Sequence, residues 1–143
     1  MFMQISLNRI TFCILIIISI TTGCRKLDLF GGEDDKLIIQ NNSNLRLYIN
    51  PQVNYPDTSI DPYNPSVDKG NEIPPYSSKK IVQRSWDQLV IRSASDTLMM
   101  FIYDANKIDS TSWDTIMNNY IILRRYDLSL EDLKSTNWKI TYP

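Results

Sequence analysis

The chain has 143 residues, of which 15 are lysine or arginine, 16 are aspartate or glutamate and none is histidine. Without histidine, Ser-His and Cys-His nucleophilic sites and His-ligated zinc are excluded, so any catalysis would have to use carboxylates, lysine or tyrosine. The net charge of −1 argues against nucleic acid as a partner, because a nucleic-acid-binding domain normally carries a basic face.

The first 24 residues have the layout of a secretory signal. Arg9 is followed by an apolar run at residues 10–20 and then by Thr21-Thr22-Gly23-Cys24. The run is shorter than the ~20 residues that span a bilayer, and the small residues after it indicate a cleavage site. The whole resembles a bacterial lipoprotein signal, which implies a signal peptide at 1–23 and a Cys24 thiol acylated with chains such as palmitate. Cleavage would also remove Cys13, so the mature domain would have no disulfide.

Residues 24–36 predict a flexible tether after the lipidated cysteine, because they contain few apolar side chains and include Gly31-Gly32. The tether carries the acidic run Glu33, Asp34 and Asp35. In lipoproteins of Bacteroidota, a short acidic stretch after the cysteine looks like an export signal for the outer face of the outer membrane. A solvated linker is the alternative interpretation.

We expect a single folded domain at residues 37–143. Leu37-Ile38-Ile39 is followed by a turn-rich stretch and then by Leu45, Leu47 and Ile49, which alternate with other side chains. That alternation is the period of a half-buried strand. The two runs together predict a hairpin.

Residues 51–76 hold six of the seven prolines and show neither helical nor strand periodicity. We predict a long, stiff loop, and loops of this length in compact domains are often functional. Its tyrosines, Tyr55, Tyr63 and Tyr76, are the candidate ligand-binding residues, since an exposed aromatic face can hold a sugar ring or a partner side chain. The alternative is that they form only local apolar contacts.

Order is predicted to return after residue 79, in short elements separated by turn residues. The sequence indicates a strand at 81–82, a helical turn opened by a Ser85 capping box, and an apolar strand at 97–103 that lies at the centre of the core and is covered on both faces. The later elements are a helix from Ser112 to 118–119, a strand at 120–126, a capping-box turn from Ser129 to 134 and a strand at 138–142. The prediction is a mainly β, small antiparallel sandwich-like domain with two or three short helical turns.

Acidic residues could in principle support glycoside hydrolysis, which needs two carboxylates at a defined separation. Most acids, however, fall in predicted turns or at helix starts, where aspartate serves as a cap; they include Asp57, Asp61, Asp87, Asp104 and Asp114. The loop also lacks the close acidic spacing of a calcium site. We therefore expect no catalytic residue, no metal and no cofactor, and we assign Trp86, Trp113 and Trp138 to core or rim packing.

Asp109-Ser110-Thr111 resembles the short acceptor pattern for O-glycosylation of exported Bacteroidota proteins. It falls in a predicted surface loop, so Ser110 is the candidate acceptor. Two other copies of the pattern begin at Asp96 and Asp114, and Thr97 in the first of these opens the predicted central strand, where it would be a poor acceptor.

The C-terminal half of the chain, residues 96–143, has apolar and aromatic positions that resemble a group of small Bacteroidales outer-membrane lipoproteins with no assigned activity. The matching positions are Asp96-Thr97-Leu98, Phe101-Ile102, the run from Tyr126 to Leu130 with Leu133, Asn137-Trp138, Ile140 and Tyr142-Pro143. The resemblance implies an outer-membrane location and supplies no mechanism.

These observations predict a non-enzymatic, lipid-anchored protein of the outer membrane, facing the cell surface. Its lipid would hold it in the membrane, and its loop would present the tyrosines to a glycan or protein ligand. The alternative is a periplasm-facing accessory or immunity-type protein that binds one cognate protein. An acid-dependent hydrolase is a distant third hypothesis.

Overall fold

The computed structural model of the chain describes residues 36–82 and 85–143. The predicted signal peptide at 1–23, the lipidation site Cys24 and the export residues Glu33, Asp34 and Asp35 lie outside them. In chain order the strands are β1 (Lys36–Asn41), β2 (Leu47–Gln52), β3 (Glu72–Ile73), β4 (Ser78–Val82), β5 (Thr97–Asp104), β6 (Arg124–Ser129) and β7 (Lys139–Tyr142).

The strands form two sheets, so the fold is mainly β and sandwich-like, as predicted. The first sheet has the order β4-β1-β7 and the second the order β3-β2-β5-β6. Pairing is antiparallel throughout the second sheet and between β1 and β4. β7 is the exception, since it lies parallel to β1.

The predicted hairpin is wrong, because β1 and β2 belong to different sheets. Between them the chain turns around Asn41, whose buried amide donates to the carbonyls of Leu45 (2.7 Å) and Pro74 (2.9 Å). The backbone N–H of Ser43 donates to the same side chain. Both strands alternate in hydrophobicity whichever partner they take, so the local pattern cannot distinguish a hairpin from a crossing between sheets.

The main core lies where the two sheets face each other. Leu37 and Ile39 of β1 pack in one fully buried cluster with Leu98, Met100 and Ile102 of β5. Burying such side chains contributes about 1.5–3 kcal/mol each relative to exposure. Both sheets bury their inner faces in this one core, so we expect neither sheet to be stable without the other.

A second cluster covers the opposite face of the second sheet. The alternate residues of β5, Met99, Phe101 and Tyr103, pack there with Tyr48 of β2 and Ile116. β5 is therefore the central strand, covered on both faces, and that prediction is confirmed. The residues that cover it come from the proline-rich loop and from two helices that follow β5.

Four short helices are present in the described residues, against the two or three predicted. They are α1 (Trp86–Ile91), α2 (Ala105–Ser110), α3 (Trp113–Asn118) and α4 (Leu130–Ser135). α3 begins at the predicted Ser112 cap, and α4 has the full predicted capping box between Ser129 and Asp132. α1 forms without its predicted box, because the Ser85 hydroxyl donates to Asp87 (2.6 Å) instead of capping the helix.

Two predicted segments change at their boundaries. The loop predicted at 51–76 starts only after β2, and it contains 3-10 turns at Pro65–Val67 and Lys69–Asn71 as well as β3. The strand predicted at 120–126 begins at Arg124, because Tyr120 has a φ of 51° and the chain then packs Ile121 and Ile122 against the second cluster.

Candidate binding cleft beside the proline-rich loop

A cleft of about 370 Å³ opens where β2 ends, between the start of the proline-rich loop and α1. This volume is at the lower end of the range for small-molecule sites. We call it the loop cleft, and it is lined by Pro51, Gln52, Val53, Asn54, Asp61, Trp86 and Leu89.

The polar wall of the loop cleft is built around Gln52, which is buried at the end of β2. In the orientation that satisfies both of its neighbours, its amide nitrogen donates to the Ser59 carbonyl (3.1 Å) and its oxygen accepts from the Asp61 N–H (3.0 Å). Asp61 in turn accepts from the N–H of Tyr63 (2.7 Å). These bonds fix the loop backbone and leave the exposed Asp61 carboxylate at the rim of the cleft.

The apolar wall belongs to the main core. Trp86 is only 1% exposed and its indole N–H donates to the Ile81 carbonyl (3.1 Å). Val53 and Leu89 are half-buried against the same cluster. Trp86 therefore forms a rigid floor. It is not an aromatic stacking surface, because a ring that stacks on a ligand has to be exposed.

This combination suits hydrogen bonding to a small polar molecule. Asp61 offers a charged acceptor, Asn54 offers an exposed amide, and the half-buried Val53 and Leu89 offer apolar contact. Two-carboxylate hydrolysis needs a second acid at a defined separation, and Asp61 is the one acid among the lining residues of this described cleft. The loop cleft can bind and orient a ligand, and its own lining does not provide that catalytic pair.

Three of the other aspartates considered above make local hydrogen bonds, and Asp114 lies in the first turn of α3. Asp104 caps α2 by accepting from the Asn106 N–H (2.9 Å). The backbone N–H of Ser59 lowers the pKa of Asp57, and the Ser85 hydroxyl lowers the pKa of Asp87.

The three loop tyrosines do not converge. Tyr55 is half-buried against the second cluster, and Tyr63 is 48% exposed with its carbonyl accepting from Asn50 (3.5 Å). Tyr76 is 71% exposed and its N–H donates to Ser43 (3.2 Å), beyond the opposite end of β2. None of the three lines the loop cleft, so their role in binding stays a prediction.

Ser110 is exposed, but it is the last residue of α2 and does not lie in a loop. Its hydroxyl donates to the carbonyls of Asn106 (2.8 Å) and Lys107 (3.3 Å). The predicted surface loop is therefore wrong at this position, while O-glycosylation of Ser110 stays a prediction.

A polar network that the sequence did not reveal lies beside the second cluster. Arg46 bonds to both Glu72 (3.2 Å) and Asp109, and Asp109 raises the pKa of Arg46. The buried Tyr48 hydroxyl donates to Asp109 (3.3 Å) and accepts from Lys69 (3.2 Å). Because every member has a partner, the network holds the loop and α2 against β2 and serves a structural purpose.

Tyr103 is the contrasting buried tyrosine. Its hydroxyl has no hydrogen-bond partner among the described residues, and its ring lies edge-on to Trp113 with centroids 5.5 Å apart. Burial raises the pKa of Tyr103 above its ordinary range. The hydroxyl is enclosed, so it cannot contact a ligand without rearrangement of its neighbours.

No group of three or more metal-ligating side chains occurs in residues 36–82 and 85–143. Within the same residues, none of the helices is both long and apolar enough to cross a bilayer. Comparison with protein-family models, curated proteins and solved structures finds no match for this chain.

Proposed function

We propose that this chain is a lipid-anchored, non-enzymatic binding protein of the bacterial cell envelope that holds a glycan unit in the loop cleft. The observation that carries the binding is the cleft itself, in which the Asp61 carboxylate and the exposed Asn54 amide lie beside an apolar wall. Ring hydroxyls suit those groups, and the apolar face of a sugar suits the half-buried Val53 and Leu89.

The anchoring part of the proposal rests on the first 36 residues. An apolar run too short to span a bilayer ends in Thr21-Thr22-Gly23-Cys24, and the acidic run Glu33-Asp34-Asp35 follows within the tether. We place the protein on the outer membrane, facing the cell surface. The alternative location faces the periplasm, where an accessory or immunity-type protein would bind one cognate protein.

Display at the surface is tested by antibody labelling and protease accessibility of intact cells. The native chain should be labelled, and a variant with Glu33, Asp34 and Asp35 replaced by alanine should not. A control with Asp114→Ala and Glu131→Ala removes exposed acids elsewhere and should be labelled like the native chain. Mass spectrometry of Cys24 tests the acylation separately. Absence of labelling in every variant would favour the periplasmic alternative.

Ligand binding is tested by screening the native chain and Asp61→Asn against an array of glycans. Asparagine keeps the oxygen that accepts from the Tyr63 N–H but removes the charge. Loss of a charge-assisted hydrogen bond should weaken binding by at least about tenfold. Asp114→Asn, on α3, is the matched control and should bind like the native chain. Equal binding by native chain and Asp61→Asn would rule out the loop cleft.

A further inference from the structure

The outer face of the first sheet is open and positively charged. Register places Lys80 of β4, Ile38 of β1 and Lys139 of β7 side by side in one row, and Val82 opposite Lys36 in the next. The alternate residues, such as Leu37 and Ile39, point into the core, so these five side chains point outward. We call them the basic face.

Within residues 36–82 and 85–143, the lysines of the basic face have no acidic partner. Lys36, Lys80 and Lys139 are all exposed, and none of their ammonium groups forms an ion pair or a hydrogen bond with another residue in the described part of the chain. The last row of the same sheet surface contains Ser78, Gln40 and Thr141, which are uncharged. These three described rows of the sheet therefore present three lysines and no carboxylate, on a chain whose net charge is −1.

The charges are concentrated at one end of the sheet. Lys36 is the first residue of β1, and Val82 opposite it is 75% exposed. Because β7 runs parallel to β1, Lys139 at its start lies toward the same end. The uncharged row lies toward the other end. The lysines and the exposed valine therefore cluster where the chain enters the domain from the tether.

The predicted tether is short enough to keep this end of the sheet close to the membrane. About 12 residues separate Cys24 from Lys36, which reach about 40 Å when fully extended and less when flexible. A domain held this closely would meet the lipid headgroups with the end from which its tether emerges. The acyl chains would supply the attachment, and a basic patch beside them adds attraction to anionic headgroups.

We propose that the basic face docks onto the phosphate-bearing lipid headgroups of the membrane in which the chain is anchored. Lys36, Lys80 and Lys139 contact phosphates, and Val82 enters the interfacial layer. The proposed lipid anchor is what brings the basic face to the membrane, so that part of the proposal depends on the proposed function. The affinity of the face for anionic lipid does not depend on the anchor. Docking fixes the orientation of the domain and turns the far end of the sandwich away from the bilayer.

The test uses residues 24–143, the predicted mature chain, carrying Cys24→Ser, so that neither an acyl chain nor the apolar run at 10–20 contributes. Flotation is measured with vesicles of phosphatidylcholine and with vesicles of equal parts phosphatidylcholine and phosphatidylglycerol. Lys80→Glu with Lys139→Glu should lower binding to the anionic vesicles by at least about tenfold, since each lysine near such a surface contributes about 1 kcal/mol. High salt should also weaken the binding of the parent chain.

Lys107→Glu with Lys134→Glu is the matched control, because it makes the same change in net charge on exposed helical positions. It should change the binding by less than about twofold. Circular dichroism verifies that both variants are folded. The proposal would be overturned if both double variants lost the same amount of vesicle binding, or if neither lost any. It would also be overturned if the parent chain bound the two vesicle types equally. An unacylated Cys24 in the native protein would instead contradict the anchor, whatever the vesicles show.

Discussion

Two buried tyrosines face each other across β2 and β5 and differ in one respect. Tyr48 has hydrogen-bond partners for its hydroxyl, whereas the Tyr103 hydroxyl has none among the described residues. Tyr103→Phe should raise the free energy of unfolding by about 1 kcal/mol, because an unpaired buried hydroxyl is removed. Tyr48→Phe should lower it by a similar amount. Urea denaturation measures both, and destabilisation by Tyr103→Phe would contradict this interpretation.

The same tyrosine predicts a loss of stability in alkali. Burial raises the pKa of Tyr103, so the folded state holds the proton more tightly than the unfolded state does. The stability that this tighter proton binding gives the folded state is fully present below the ordinary tyrosine pKa of about 10. It is lost progressively as the pH rises above that value. Denaturation midpoints from about pH 8 to about pH 11 should therefore fall more steeply for the native chain than for Tyr103→Phe. Parallel curves would show that Tyr103 is not responsible.

At the scale of elements, two similar sequences give different helix starts. Ser129 accepts from the Asp132 N–H at the start of α4, whereas Ser85 makes no cap bond at the start of α1. Ser129→Ala should lower the free energy of unfolding by about 1 kcal/mol, and Ser85→Ala by clearly less. Chemical denaturation of the two variants side by side provides the measurement. Equal losses would mean that the Ser85 hydroxyl contributes through Asp87 as much as a cap does.

Elements with a strong local signal are the ones that the sequence predicts well. β5 has an unbroken apolar run, and Ser112 and Ser129 mark the starts of α3 and α4. α2 was missed, although Asp104 caps it and Ala105 and Ile108 are buried at i and i+3. That spacing was an available signal. β3 has only two residues and follows from its pairing with β2, so no periodicity could reveal it.

The candidate site could be predicted only in part. The proline-rich loop, which the sequence marked as a possible binding surface, contributes Val53, Asn54 and Asp61 to the loop cleft. Trp86 and Leu89 come from α1, and only the packing of α1 against the end of β2 brings them to the same place. The network around Arg46 is equally non-local, since it joins β2, the loop and α2. Single-sequence reasoning has no access to such contacts.

At the scale of the whole molecule, β7 should be required for folding. It covers one edge of β1 and contributes Ile140 to the main core. Deletion of residues 139–143 should abolish cooperative unfolding in urea, because the loss of a core strand is comparable to the 5–15 kcal/mol that stabilises a small domain. Deletion of Pro143 alone should leave the transition nearly unchanged. A cooperative transition with an unchanged midpoint after the longer deletion would contradict this role of β7.

The parallel pairing of β1 with β7 also sets when the protein can fold. The first and last strands of the domain are neighbours in one sheet, so a nascent chain on the ribosome has Leu37 and Ile39 long before Ile140 exists to pack with them. Contacts so distant in sequence form late. The domain therefore completes its first sheet only after residues 139–142 have left the ribosome, and translation products that stop before residue 139 remain substrates for proteolysis.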